Sequence, residues 1–185
     1  MKYLLFFFLF IPSVLLPKER NLTLIVKGEH FSVYGYKDID ISSLIEKIKL
    51  NYFVDVKEIF KKDPKDLKTQ LLESLDSLYQ EVSEILDIHL YNFHTNIKIL
   101  PDRNSLNEVF RSYFKKEFNE RSFYLYTNNT IYISFEDLTL EMLAHEIAHA
   151  VISRYFVVLP PAKVQEILCG YVEYILKKRK EFLRK

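Results

Sequence analysis

The sequence predicts an α+β fold built as a single domain. Three observations lead there. Short alternating runs at residues 22–26, 30–36, 96–100, 123–127 and 130–135 read as strands, four of them in two hairpins. The longer stretches between and after them carry apolar residues at helical spacing. A chain of 185 residues, 49% of them apolar, suits one core.

Residues 1–17 stand apart from that body. Met1 and Lys2 make a short positive start, Tyr3 to Phe10 is strongly apolar, and the apolar run continues past Pro12 and Ser13. These are the features of a signal peptide, or of an N-terminal anchor if it stays uncleaved. Residues 18–185, the single-domain body, are therefore expected to work in a periplasmic or extracellular space. The first two strands meet at Gly28. Residues 40–51 look helical, with Ile41, Leu44, Ile45 and Ile48 on one face. Residues 61–66 are a polar break. Residues 67–86 form an amphipathic helix with a stripe of Leu71, Leu72, Leu75, Leu78, Val82, Ile85 and Leu86. The strand at 96–100 stops at Pro101-Asp102. Ser105 with Glu108 predicts a capping box and a helix to about Lys116. Asn128-Asn129 turns the second hairpin. Its second strand, Thr130 to Phe135, puts Ile131, Ile133 and Phe135 on one face and Tyr132 and Ser134 on the other.

His145-Glu146-Ile147-Ala148-His149 is an H-E-x-x-H motif. On a helix, residues four apart share a face, so His145 and His149 can aim two imidazoles at one point. Glu146 projects beside them, close enough to a bound metal to act on its water. Thr139 is a good N-cap, and Glu141 suits the positive end of the helix dipole. Met142, Leu143, Ile147, Ala150, Val151 and Ile152 make this helix apolar around the histidines, so it is expected to be buried. Two buried imidazoles without partners would be costly, and a metal satisfies both. A catalytic zinc takes a third protein ligand and keeps a position for water. The metzincin pattern, with Gly at 152 and His at 155, is excluded by Ile152 and Tyr155. Pro161 can open the next helix in its first turn. That helix runs toward Leu183 and carries Glu166 and Glu173, seven apart and on one face.

The string Glu166-Ile167-Leu168-Cys169-Gly170-Tyr171 resembles the gluzincin metallopeptidases, especially the small "peptidase MA-like" group. That group shows H-E-x-x-H followed on the next helix by E-G-x-A-x-Y. The resemblance covers roughly residues 90–180. It implies a small zincin-like catalytic domain with a mixed sheet, an H-E-x-x-H helix and a C-terminal helix carrying the third ligand. It also implies one zinc ion on His145, His149 and Glu166, with Glu146 as general base. Two positions depart from the pattern. Ile167 replaces Gly and could narrow the cleft, and Cys169, the single cysteine, replaces Ala. Glu173 is the alternative ligand, or an outer residue orienting a histidine. Tyr155, Tyr171 and Tyr174 are the candidates for stabilising an oxyanion. In the family an edge strand before the motif helix pairs with substrate, and 130–135 would be that strand.

The function expected is an exported zinc metallopeptidase acting on a peptide or protein. The alternatives are a non-catalytic exported binding module with a zincin-like fold and a hydrolase restricted to one substrate. Net charge is +1 and the basic residues are scattered except at the C-terminal end, so nothing points to a nucleic-acid partner. The run Lys177-Lys178-Arg179-Lys180 reads as the solvated end of the last helix. A membrane enters only through the N-terminal segment. One cysteine permits no internal disulfide. His30, His89 and His94 read as structural or exposed.

Overall fold

A computed structural model describes residues 19–49, 64–116 and 120–182. The expected signal segment at 1–17 lies outside the described residues, as does the end of the helix expected over 40–51. The described chain is α+β, with a mixed five-stranded sheet and five α-helices.

Strands β1 (Leu22–Lys27) and β2 (Phe31–Tyr36) form the expected antiparallel hairpin, with a bulge between Leu24 and Val26. Helix α1 (Ile41–Ile48) starts at Asp40, whose side chain accepts from the Ser42 N–H. Helix α2 (Pro64–Leu86) buries Leu71, Leu75, Leu78, Tyr79 and Val82. It begins inside the stretch read as a polar break. Proline at a first helical position has no N–H to lose, so the helix can start there. Strand β3 (Thr95–Leu100) then lies parallel to β2.

Helix α3 (Arg103–Phe114) corrects the capping-box expectation. Its N-cap is Asp102, whose carboxylate accepts from the Ser105 N–H at 2.7 Å. Aspartate caps as well as serine does, and Pro101 already ends the strand, so the helix starts earlier than Ser105 implied. It ends at Lys115, which takes the left-handed conformation with φ 53°.

Strands β4 (Ser122–Leu125) and β5 (Thr130–Ser134) form the second hairpin, turned by a short 3-10 segment at Tyr126–Asn128. The strand order is β1-β2-β3-β5-β4. Here a second expectation fails. The strand at 130–135 is not an edge; β5 is held between β3 and β4. All five of its residues are buried, as an inner strand covered on both faces requires. The edge beside it is β4.

The two faces carry two cores. Ile97, Ile99, Ile131 and Ile133 point to the face packed by α1, α2 and the motif helix. Leu100, Phe123, Leu125 and Tyr132 point the other way, toward Leu106 and Val109 of α3. On that second face Lys98 Nζ donates to Glu19 Oε2 at 2.9 Å and Tyr113 Oη to Glu19 Oε1 at 3.3 Å. His30 pairs with Asp76 at 3.0 Å and His94 with Ser32 at 3.0 Å, so both are structural as expected.

Helices α4 (Leu140–Tyr155) and α5 (Ala162–Phe182) complete the chain. Thr139 caps α4 as predicted, accepting from the Met142 N–H at 3.3 Å. Pro161 precedes α5 rather than opening it, and its carbonyl accepts from the Val164 and Gln165 N–H groups. The two helices run antiparallel: Lys180 near the end of α5 donates to Glu141 in the first turn of α4 at 2.9 Å. Helix α5 buries only Cys169, Val172 and Leu176. No helix among the described residues is long and apolar enough to cross a membrane.

Candidate functional site

Helix α4 is buried almost all round, which is what its apolar composition calls for. Its two histidines face α5. Their ring centroids lie 5.0 Å apart, as the four-residue spacing dictates. The antiparallel return of α5 brings Glu166 onto them. His145 Nε2 is 3.4 Å from Glu166 Oε2, and His149 Nε2 is 3.3 Å from Glu166 Oε1. One carboxylate therefore faces both imidazoles, one oxygen to each.

Glu173 lies two turns along the same face, 3.5 Å from His145 Nδ1 through Oε2. That nitrogen is buried and makes no hydrogen bond. The two glutamates thus take different places, Glu166 at the paired Nε2 atoms and Glu173 behind one ring. Burial pushes the His149 pKa down and the neighbouring His145 adds to this, while Glu166 opposes it. The buried imidazole favours its neutral form, the form that ligates a metal.

Glu146 is 5% exposed. Its Oε1 accepts from Ser122 Oγ at 2.7 Å, and the Tyr124 N–H donates to the same carboxylate. Burial lifts its pKa to about 7, and these two hydrogen bonds hold it from going higher. A carboxyl poised there can take and return a proton near neutral pH.

Sequence reasoning did not single out Ser122 and Tyr124. Both come from β4, on the face opposite Phe123 and Leu125. The signal was present in the two-residue alternation, once β4 is known to be the strand beside α4. Gln165, which donates to the Pro160 carbonyl at 2.7 Å, also lines the site and was not anticipated.

The side chains surround an open cleft of about 760 Å³. Its walls are β4 with the residues just before it, the histidine face of α4 and the Glu166 face of α5. Tyr155, Tyr171 and Tyr174 do not line it; all three are about half exposed on outward faces. Tyr171 follows Glu166 by five residues, which turns it about 140° away around the helix. The tyrosines that do line the cleft are Tyr124 and Tyr126. Ile167 is 62% exposed and points outward, so it does not narrow the cleft.

Cys169 lies inside the helix pair, fully buried. Burial raises its thiol pKa, and the Glu146 and Glu166 charges raise it further.

No family model, curated protein or solved structure matches the chain.

Proposed function

We propose that the chain is an exported zinc-dependent peptidase of the gluzincin type, with the small zincin-like domain that this implies. His145, His149 and Glu166 would hold the ion, and Glu146 would be the general base. The observation that carries this reading is the convergence at Glu166. Its two oxygens lie 3.4 and 3.3 Å from the Nε2 atoms of His145 and His149, with Glu146 buried beside them. Ligands about 2 Å from a tetrahedral zinc lie about 3.3 Å from one another, so the donor set fits that ion. The buried His145 Nδ1 fits it too. With Nε2 on a metal, Nδ1 carries the proton and points at Glu173, which orients the ring.

Zinc in this position supplies Lewis-acid polarisation of a carbonyl and makes water acidic near neutral pH. The protein's own groups supply the rest. Glu146 takes a proton from the attacking water and delivers it to the leaving amine. Ser122 and the Tyr124 N–H keep its carboxylate turned toward the cleft wall. Strand β4, paired with β5 on one side only among the described residues, offers its other edge to an extended peptide. This replaces 130–135 as the strand beside substrate.

The test is metal analysis followed by hydrolysis. The purified chain should carry about one zinc, and His145→Ala should abolish it. Glu146→Gln should keep the zinc and lower cleavage of a peptide library by at least about a hundredfold. A folded chain that stays metal-free, or full activity in Glu146→Gln, overturns the proposal.

A further inference from the structure

Cys169 follows Glu166 by three residues on α5, so both side chains are directed at α4. They sit at different depths. The Glu166 side chain is 61% exposed, whereas Cys169 is 0% exposed. A ring nitrogen of His145, a ring nitrogen of His149 and Cys169 Sγ all lie within 4.8 Å of one another. Donor atoms around a single zinc sit about 3.3–3.8 Å apart, so these three need close by only about 1–1.5 Å to share an ion. Among the described residues no hydrogen bond or ion pair engages the thiol.

The two imidazoles thus have an exposed carboxylate at their Nε2 atoms and a fully buried thiol close by. We infer that Cys169 is a fourth protein ligand of the metal centre, completing a His145–His149–Cys169–Glu166 set in which Glu166 is the exchangeable outer ligand. This rests on the metal site proposed above and adds to it. On binding, the S–H bond breaks, the proton leaves to solvent, and the sulfur bonds to the ion with no change of oxidation state. A thiolate is a soft ligand, so the site would favour thiophilic ions such as zinc and cadmium over harder ones. Four protein ligands fill a tetrahedron. Water and substrate would then need Glu166, the exposed ligand, to give way, while His145, His149 and Cys169 would keep hold of the ion.

The experiment loads the full chain with Co²⁺ and records its absorption. Wild type is expected to show the visible bands of tetrahedral cobalt together with a near-ultraviolet thiolate-to-cobalt charge-transfer band. Cys169→Ala, with its fold checked by circular dichroism, should keep the visible bands and lose the charge-transfer band. Its preference for Cd²⁺ over Co²⁺ should drop at least about tenfold, the size of loss that even an outer-shell partner causes. Glu166→Gln should bind cobalt and keep the charge-transfer band. Wild-type cobalt bands without charge transfer would overturn Cys169 as a ligand and leave the metal site standing. A folded wild type that binds no cobalt would sink the metal site itself. Loss of cobalt in Glu166→Gln would overturn the outer-ligand assignment. If Cys169→Ala fails to fold, the wild-type spectrum and Cys169→Ser decide.

Discussion

At Glu146 the site depends on a strand residue that donates one hydrogen bond. Ser122 Oγ sits 2.7 Å from a carboxylate that is otherwise walled in. Removing the hydroxyl leaves a buried carboxylate oxygen short of a partner, a loss of about 1–3 kcal/mol. Ser122→Ala is therefore expected to lower kcat by about tenfold or more while zinc content stays unchanged. Steady-state kinetics with parallel metal analysis checks both. A KM effect alone would show that Ser122 serves substrate binding instead. His145 and His149 were legible from their four-residue spacing and Glu146 from the motif they frame, whereas the resemblance and the short return of the next helix favour Glu166 over Glu173. Ser122 was not legible, because a single serine in a short strand carries no pattern of its own. The tyrosines failed for a related reason. Tyr171 fits a motif by position, but its helical angle turns it to solvent.

Among the elements, α3 separates two explanations of one helix start. If Asp102 is the cap, Asp102→Ala should cost about 1 kcal/mol and Ser105→Ala should leave the cap intact. Urea unfolding of the two variants distinguishes them. Two further carboxylates tie elements together. Asp40 caps α1, and the Ser43 hydroxyl at 2.6 Å holds its pKa below the usual range. Asp137, after β5, takes both Nε and Nη2 of Arg103 at 3.1 and 2.5 Å, and that guanidinium depresses its pKa as well. A carboxylate with a lowered folded pKa contributes stability that is present above its unfolded value and lost as pH falls through the folded one. Through these two carboxylates urea midpoints should decline below about pH 4, while Glu146, whose folded pKa is raised to about 7, adds the opposite slope between its unfolded value and neutrality. Arg103→Ala should flatten part of that decline. The elements themselves were largely readable, since both hairpins and the long helices follow from period alone. Their ends were less so, because Pro64, Asp102 and Pro161 each offer the chain a start that competes with the residue chosen from the pattern.

For the whole molecule, the order of the strands matters more than their number. A local run of alternating residues says that a strand exists and says little about its neighbours. The parallel partners β2, β3 and β5 are joined by helical crossings, so their adjacency is settled by packing on α2 and α4 and not by any one segment. The edge place of 130–135 comes from the resemblance, and its local alternation could not contradict it; packing sets the strand inside and leaves β4 to reach Glu146.

Helix α5 has a consequence of its own. Its fully buried side chains are three, Cys169, Val172 and Leu176, with the partly buried Leu168 packed beside them. With so few fully buried side chains it is expected to open before the inner strands do. An ion gripped by α4 and α5 together would act as a clasp on that opening, since whatever binds only the closed form stabilises it. Amide hydrogen exchange along 162–182 should be fast in chelator and slow several-fold when zinc is added, while β3 and β5 exchange at one rate in both. Equal exchange in α5 with and without zinc would mean that the helix needs no clasp. Otherwise, on the function proposed above, loss of the ion would do more than stop hydrolysis: it would loosen α5, and a protease nick there would mark a molecule without its zinc.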